Sequence, residues 1–392
     1  MASKQHLHHN KLFKVLGIVD RQDLRQMSVQ LRVNVNTLEY YNNNRIFPDG
    51  ETLQNIIQYL GCTSLELKLR LGIIDNDIVN WISAHPEILL NSLPQEEIAP
   101  PQVFNPKYTT EFGSLYQADC IPLMKTIPSD SIDMIFADPP FNIGKNYKSG
   151  VSDKLSEDDY LNWTESWLKE CIRILAPGGS LFVYNLPHWQ THIAGMLNKY
   201  LTFRHWIAVY MRGLIPVAGK LHPSHYGLLY YTKGERPRVF NKQRIPMSTC
   251  RHCGGEIHDY GGKKRGLNEN GLSIADVWTD IHPVRHKKFK NRDSNELPIK
   301  MLYRIISLAS NEGDLVFDPF GGSGTTYAVA EHLRRRWIGC EVGDIDPIVS
   351  RIQNNEDLPL LHKVEQESNV LFTQEQVNLR RTNDFWLLED FM

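Results

Sequence analysis

The stretch "SIDMIFADPPFN", residues 131–142, decides how the chain is read. Its first half is an apolar run of strand length. Its second half, Asp138-Pro139-Pro140-Phe141-Asn142, is more than a turn requires. Two prolines fix φ and remove two N–H donors, so the loop is stiff. A carboxylate ending a buried strand sits at the sheet edge where α/β proteins bind ligands. Asp138 and the Pro139 carbonyl offer acceptors for both hydrogens of an exocyclic amine. Phe141 offers a flat face on which a base stacks. The plainer reading is a rigid Pro-Pro turn with Asp as a cap and Phe in the core.

A second strand end, "DPFGGSGTT" (318–326), runs into a Gly-rich turn and a helix beginning near Thr325. Glycines let backbone approach a ligand, and a helix start presents free N–H groups. Thr325 follows Gly324 where a phosphate-cradling loop needs Lys, and the spacing is not G-x-G-x-x-G. Glu341, ending "RRRWIGCEV", is placed to accept hydrogen bonds from ribose hydroxyls.

Between these strands and "GGSLFVYN" lie helical stretches at 157–175, 188–199, 296–311 and 324–335. Strands alternating with helices predict an α/β fold with a mainly parallel sheet. Residues 213–292 break the alternation and read as an insertion. Residues 12–75 read as small helices: Leu24, Met27 and Leu31 share a face, and Asn36 is a candidate N-cap. The Pro-rich, polar stretch "NSLPQEEIAPPQVFNPK" (92–108) reads as a linker. The predicted layout is a helical domain at 1–92, a linker at 93–111, an α/β domain at 112–355 and a tail at 356–392.

The 392 residues are 41% hydrophobic with a net charge of −2, so any polyanion-binding face is local. No apolar run reaches transmembrane length, and the N-terminus lacks a signal-peptide core. With six cysteines, the expectation is a cytoplasmic protein with reduced thiols and no membrane partner.

"DPPF" followed by "FDPFGGSGTT" resembles the S-adenosylmethionine-dependent amino-group DNA methyltransferases, in the permuted β-type order with the catalytic motif first. Supporting stretches are "YQADCIPLMKTIPSD", "YLNWTESWLKECIRILAPGG", "LHPSHYGLLYYTKG" and "LPIKMLYRIISLASNEGD", so the likeness covers about 112–350. It implies a seven-stranded Rossmann-like class I sheet. It implies that Asp138, Pro139, Pro140 and Phe141 are catalytic. It further implies that Asp119, Asp138, Leu297, Pro298, Asp318, Phe320, Gly321, Gly322, Ser323, Gly324, Thr325 and Glu341 line the S-adenosyl-L-methionine site. Transfer to a flipped base is then direct, and no metal is required. Family members acting on cytosine N4 commonly carry Ser at the position of Asp138, so adenine N6 in double-stranded DNA is the expected target. The rivals are a cytosine-N4 enzyme and a DNA-binding regulator with an inactive methylase domain. The expected setting is restriction–modification, with a homodimer and a cognate restriction endonuclease among compatible partners.

The insertion occupies the family's target-recognition position. Residues 233–292 hold 14 Lys+Arg against 6 Asp+Glu. Arg236, Arg238, Lys263, Lys264, Arg265, Lys287, Lys288 and Lys290 are the candidate DNA contacts. "CRHCGGEIHDYGG" (250–262) contains a C-x-x-C with only His252 and His258 nearby; a knuckle turn without metal is the expectation.

Near the N-terminus, "LRVNVNTLEYYNNNRIFPDGETLQNIIQYLG" resembles Xre/Cro-like helix-turn-helix domains, with Asn34, Asn36, Thr37 and Leu38 at the turn and recognition-helix start. Arg32 replaces the usual Gly, and Asn42 the usual Glu. The domain's role is either DNA contact and autoregulation or protein interaction.

Overall fold

The computed structural model describes residues 11–90, 103–144, 154–211, 219, 221–257, 262–282 and 296–391. The chain divides into two compact units, Met1–Ala99 and Pro100–Met392. No helix among the described residues is long and apolar enough to cross a membrane.

The first unit is all-α: α1 (Lys11–Leu16), α2 (Arg21–Leu31), α3 (Val35–Asn44), α4 (Gly50–Leu60), α5 (Ser64–Leu71), α6 (Asn76–Ala84) and α7 (Pro86–Leu90). Leu24, Met27, Leu31, Leu38, Ile56 and Leu67 form its core. Asn34, not Asn36, caps α3, because its side chain accepts from the Asn36 N–H at 2.8 Å. Arg32 closes α2 in the left-handed region at φ 52°, a conformation that favours glycine. Asn42 is buried, and its Oδ1 accepts from the Phe13 N–H at 3.1 Å, tying α1 to α3.

The second unit carries β1 (Tyr108–Thr109), β2 (Gly113–Gln117), α8 (Cys120–Thr126), β3 (Ile132–Ala137), α9 (Glu157–Ile174), β4 (Leu175–Asn185) and α10 (Pro187–Leu197). There follow β5 (Thr202–Tyr210), β6 (His225–Thr232), β7 (Arg244–Ile245), β8 (Leu272–Ser273), β9 (Val277–Trp278), α11 (Ile299–Ala309) and β10 (Leu315–Asp318). The chain ends with α12 (Thr325–His332), β11 (Arg336–Glu341), α13 (Asp346–Gln353), α14 (Leu358–Gln366) and α15 (Gln374–Thr382).

Among the described residues, nine strands form one sheet in the order β1-β2-β11-β10-β3-β4-β6-β5-β9. Seven are long; β1 and β9 are two-residue additions at the edges. Strand alternation supplies two cores. Met134 and Phe136 join α11 and α12 on one face. Ile135 and Ala137 join α8, α9 and α10 on the other.

Three sequence boundaries move. β1 lies within the expected linker and pairs with β2. β6 lies within the expected insertion yet runs antiparallel between β4 and β5, because "HYGLLYYT" is apolar enough to be buried on both faces. The expected tail is helical, and Leu361 and Val364 of α14 pack into the sheet core.

Candidate active site

β10 connects through α12 to β11 on one side, while the neighbouring β3 connects through α9 to β4 on the other. The β3/β10 boundary is therefore the topological switch point, where open α/β sheets bind ligands beyond the carboxyl strand ends. Parallel pairing of β2, β11, β10 and β3 brings Gln117, Glu341, Asp318 and Ala137 to this one edge.

Asp138 follows β3 directly and is half-buried. Burial first, and the Asp138 charge second, raise the Tyr184 hydroxyl well above its ordinary pKa; Tyr226 is raised in the same way. The Phe141 ring lies 6.1 Å from Tyr184 and 5.6 Å from Tyr226 between centroids. The loop is held by its carbonyls. Tyr160 Oη of α9 donates to the Pro140 carbonyl at 2.7 Å, and Trp189 Nε1 of α10 donates to that of Phe141 at 2.7 Å. Asn142, at φ 53°, closes the turn by exchanging two side-chain hydrogen bonds with the Leu155 backbone. Among the described residues no donor meets the Pro139 carbonyl.

The Gly-rich turn is braced from within. Asp318 is buried; its Oδ1 accepts from the Phe320 N–H at 2.9 Å and its Oδ2 from Thr326 Oγ1 at 2.5 Å. Burial raises its pKa to about 7, and the Glu341 charge adds to the rise. Glu341 accepts from the Gly322 and Gly343 N–H groups at 2.8 and 2.7 Å. Phe320 packs 5.7 and 5.2 Å from Trp163 and Trp167. A Cβ on Gly324, at φ 78°, would meet Ile348 at 2.6 Å. Asp119 caps α8 at the neighbouring strand end, accepting from the Ile121 N–H at 2.8 Å.

Beneath the turn sits Arg351 of α13, absent from any motif. Its side chain is fully buried. It donates to the Ser323 carbonyl, Ser323 Oγ and Thr325 Oγ1 at 3.0, 3.1 and 3.0 Å. It pairs with Glu296 at 2.9 Å and Asp357 at 2.5 Å. Thr325 Oγ1 also lies 3.4 Å from the Leu297 carbonyl, so Leu297 and Pro298 adjoin the turn. Ser323, Thr325 and Asp318 thus shape the turn from inside. An arginine in the apolar run of α13, with Ile348 and Ile352 buried, was the only available signal.

Among the described residues, the candidate DNA contacts have different surroundings. Arg238 pairs with Asp133 and Asp314 at 2.7 and 3.1 Å, at the amino ends of β3 and β10, away from Asp138. Two carboxylates engage it there. Arg236 is exposed. Lys264 pairs with Glu256 at 3.0 Å and lies over the Trp386 ring, while Lys263 and Arg265 are exposed. Lys287, Lys288 and Lys290 lie outside the described residues. In the C-x-x-C knuckle, the Gly254 N–H donates to the Cys250 carbonyl and the Cys250 N–H to the Gly255 carbonyl, both at 2.8 Å. Buried Arg380 of α15 clamps the knuckle through the Gly254 carbonyl at 2.6 Å.

The carboxylates Asp119, Asp138 and Glu341 gather at one edge, which suits a ligand bearing hydroxyls, an ammonium and a sulfonium, and disfavours a phosphorylated one. The fold and this edge suit a nucleoside-bearing cofactor. Residues 132–344 match the family described as DNA methylase. The chain is 47% identical over 366 residues to the Type II methyltransferase M.BamHI of Bacillus amyloliquefaciens, covering 92% of this chain and 86% of that one. It is 31% identical to the DNA adenine methyltransferase YhdJ of Escherichia coli (strain K12), over 60% of this chain and 80% of the relative. A solved PvuII DNA methyltransferase (cytosine-N4-specific) aligns at TM-score 0.47 and 19% identity, covering 68% of this chain and 97% of that one. The chain belongs to the DNA methylase family typified by the Type II restriction–modification methyltransferases, and S-adenosylmethionine is its methyl donor.

Proposed function

We propose that the chain methylates the exocyclic amine of a flipped base in double-stranded DNA. The observation that carries this reading is the arrangement of loop carbonyls. Those of Pro140 and Phe141 are occupied by Tyr160 and Trp189, leaving the Pro139 carbonyl beside Asp138 to accept from an amine. S-adenosylmethionine supplies an activated methyl group when bound. Asp138 and the Pro139 carbonyl hold the amine nitrogen with its lone pair aimed at that carbon. Phe141 stacks on the base, and the proton leaves through the Asp138 carboxylate to water. Positioning and exclusion of water supply most of the rate. Glu341 and Asp119 bind the nucleoside portion of the donor, and Phe320 with the Gly-rich turn walls its methionine portion.

Asp138 favours adenine N6, and one relative bears the name DNA adenine methyltransferase. Cytosine N4 is the second reading. It rests on the acceptor pair itself, which reads an amine beside a ring nitrogen and not the size of the ring. Incubation with labelled S-adenosylmethionine and DNA tests the activity: transfer by the wild type that is lost in Asp138→Ala supports it, and no transfer by the wild type removes it. Nucleoside analysis then decides the base; N4-methylcytosine without N6-methyladenine overturns the adenine reading.

For the first unit we propose a helix-turn-helix, with α2 and α3 as its pair and Asn34 fixing the turn. A specific gel shift by residues 1–92 on upstream DNA supports a regulatory role; none leaves protein interaction as the reading. Arg236, Lys263 and Arg265 remain the proposed phosphate contacts among the described residues.

A further inference from the structure

α10 opens with His188 and His192, one turn apart, and α9 opens with Glu157. One ligand atom from each of these three residues lies within 4.8 Å of the others. The imidazole rings meet edge to face, with centroids 5.6 Å apart. His188 is exposed and the other two are half-buried, so an ion has access from solvent. Two imidazoles four residues apart on a helix, joined by a carboxylate from a second element, form a donor set suited to zinc. Zinc–ligand bonds of about 2.0–2.1 Å place tetrahedral ligand atoms roughly 3.3 Å apart. The three groups therefore close around an ion by side-chain rotation of at most about 1.5 Å.

We propose that Glu157, His188 and His192 bind one divalent transition-metal ion of the zinc class, with water completing the coordination. The ion is structural and takes no part in methyl transfer. Its place in the fold states its effect. The helices it joins are those whose Tyr160 and Trp189 hold the Pro140 and Phe141 carbonyls. Those two side chains also pack together, with ring centroids 4.5 Å apart. Binding staples the first turns of α9 and α10 and fixes the loop from its outer side.

The test uses the full chain and zinc alone. Wild-type protein, dialysed against micromolar zinc, should hold one zinc more per chain than His188→Ala/His192→Ala, and its Tm should rise with zinc where the variant's does not. Zinc held by Cys250 and Cys253 would be common to both proteins and cancels in the difference. Glu157→Gln provides a second variant that keeps the histidines; it should bind zinc more weakly than wild type. Equal zinc content and equal Tm response in wild type and the double variant overturn the proposal. So does unchanged zinc affinity in Glu157→Gln.

Discussion

The two loops at the switch point are built in opposite ways. The Asp138 loop is held from outside by neutral aromatic donors, Tyr160 and Trp189, reaching its carbonyls from two helices. The Gly-rich turn is held from inside by carboxyl groups and a buried ion cluster: Asp318, Glu341 and Arg351 with Glu296 and Asp357. The difference fits the tasks proposed for them, base binding for the first and cofactor binding for the second. A loop that must leave one carbonyl open for a base is fixed without placing another charge beside it. A turn that receives a cationic ligand tolerates charges beneath it, provided each is paired.

The contrast fails first at Arg351. Arg351→Met leaves Glu296 and Asp357 buried without their cation, which costs about 3–5 kcal/mol. Urea unfolding should show that loss, with S-adenosylmethionine affinity falling too; a change below 1 kcal/mol, by this scale, breaks the ionic account of the turn. Asp318 comes next. Its folded pKa, raised to about 7, means its contribution to stability is complete below about pH 4 and is lost as pH rises through 7. Asp318→Asn should therefore show a flatter stability profile than wild type between pH 4 and 7, by about 2–4 kcal/mol. A parallel profile in the two proteins removes Asp318 as the titrating group. Tyr160→Phe and Trp189→Phe each deprive a loop carbonyl of its donor, a loss of about 1–3 kcal/mol. If that loss falls on loop placement, kcat drops roughly 5- to 150-fold while donor affinity stays. Equal effects on both would show that the two loops are not held separately. The smallest effect belongs to the exposed cations. Lys263→Ala/Arg265→Ala should reduce the slope of log K for DNA against log salt by about 1.8; an unchanged slope excludes them from the phosphate contacts.

That Asp138, Asp318 and Glu341 share one sheet edge was legible because they follow strand ends in sequence: Asp138 after β3, Asp318 at the end of β10, Glu341 at the end of β11. The edge needs no long-range knowledge beyond parallel pairing. What stayed hidden depends on distant partners. Arg351 reads as one charge on an amphipathic helix until the fold sets it against Ser323. Glu157 precedes the histidine pair by a whole helix and strand. β6 reads as insertion because its neighbours in sequence are Gly, Pro and basic residues, although its own eight residues are those of a buried strand.

The reversed direction of β6 has a further consequence for electrostatics. β6 begins beside Asn185, on the catalytic rim, and ends beside Ser180, on the opposite one. Eight residues of strand span about 26 Å, roughly three Debye lengths at physiological ionic strength. Arg238 and its carboxylate partners therefore lie beyond electrostatic reach of a base at Asp138. Of the basic residues counted along 233–292, Arg238 thus stands at the rim opposite Asp138, where its charge is spent on Asp133 and Asp314.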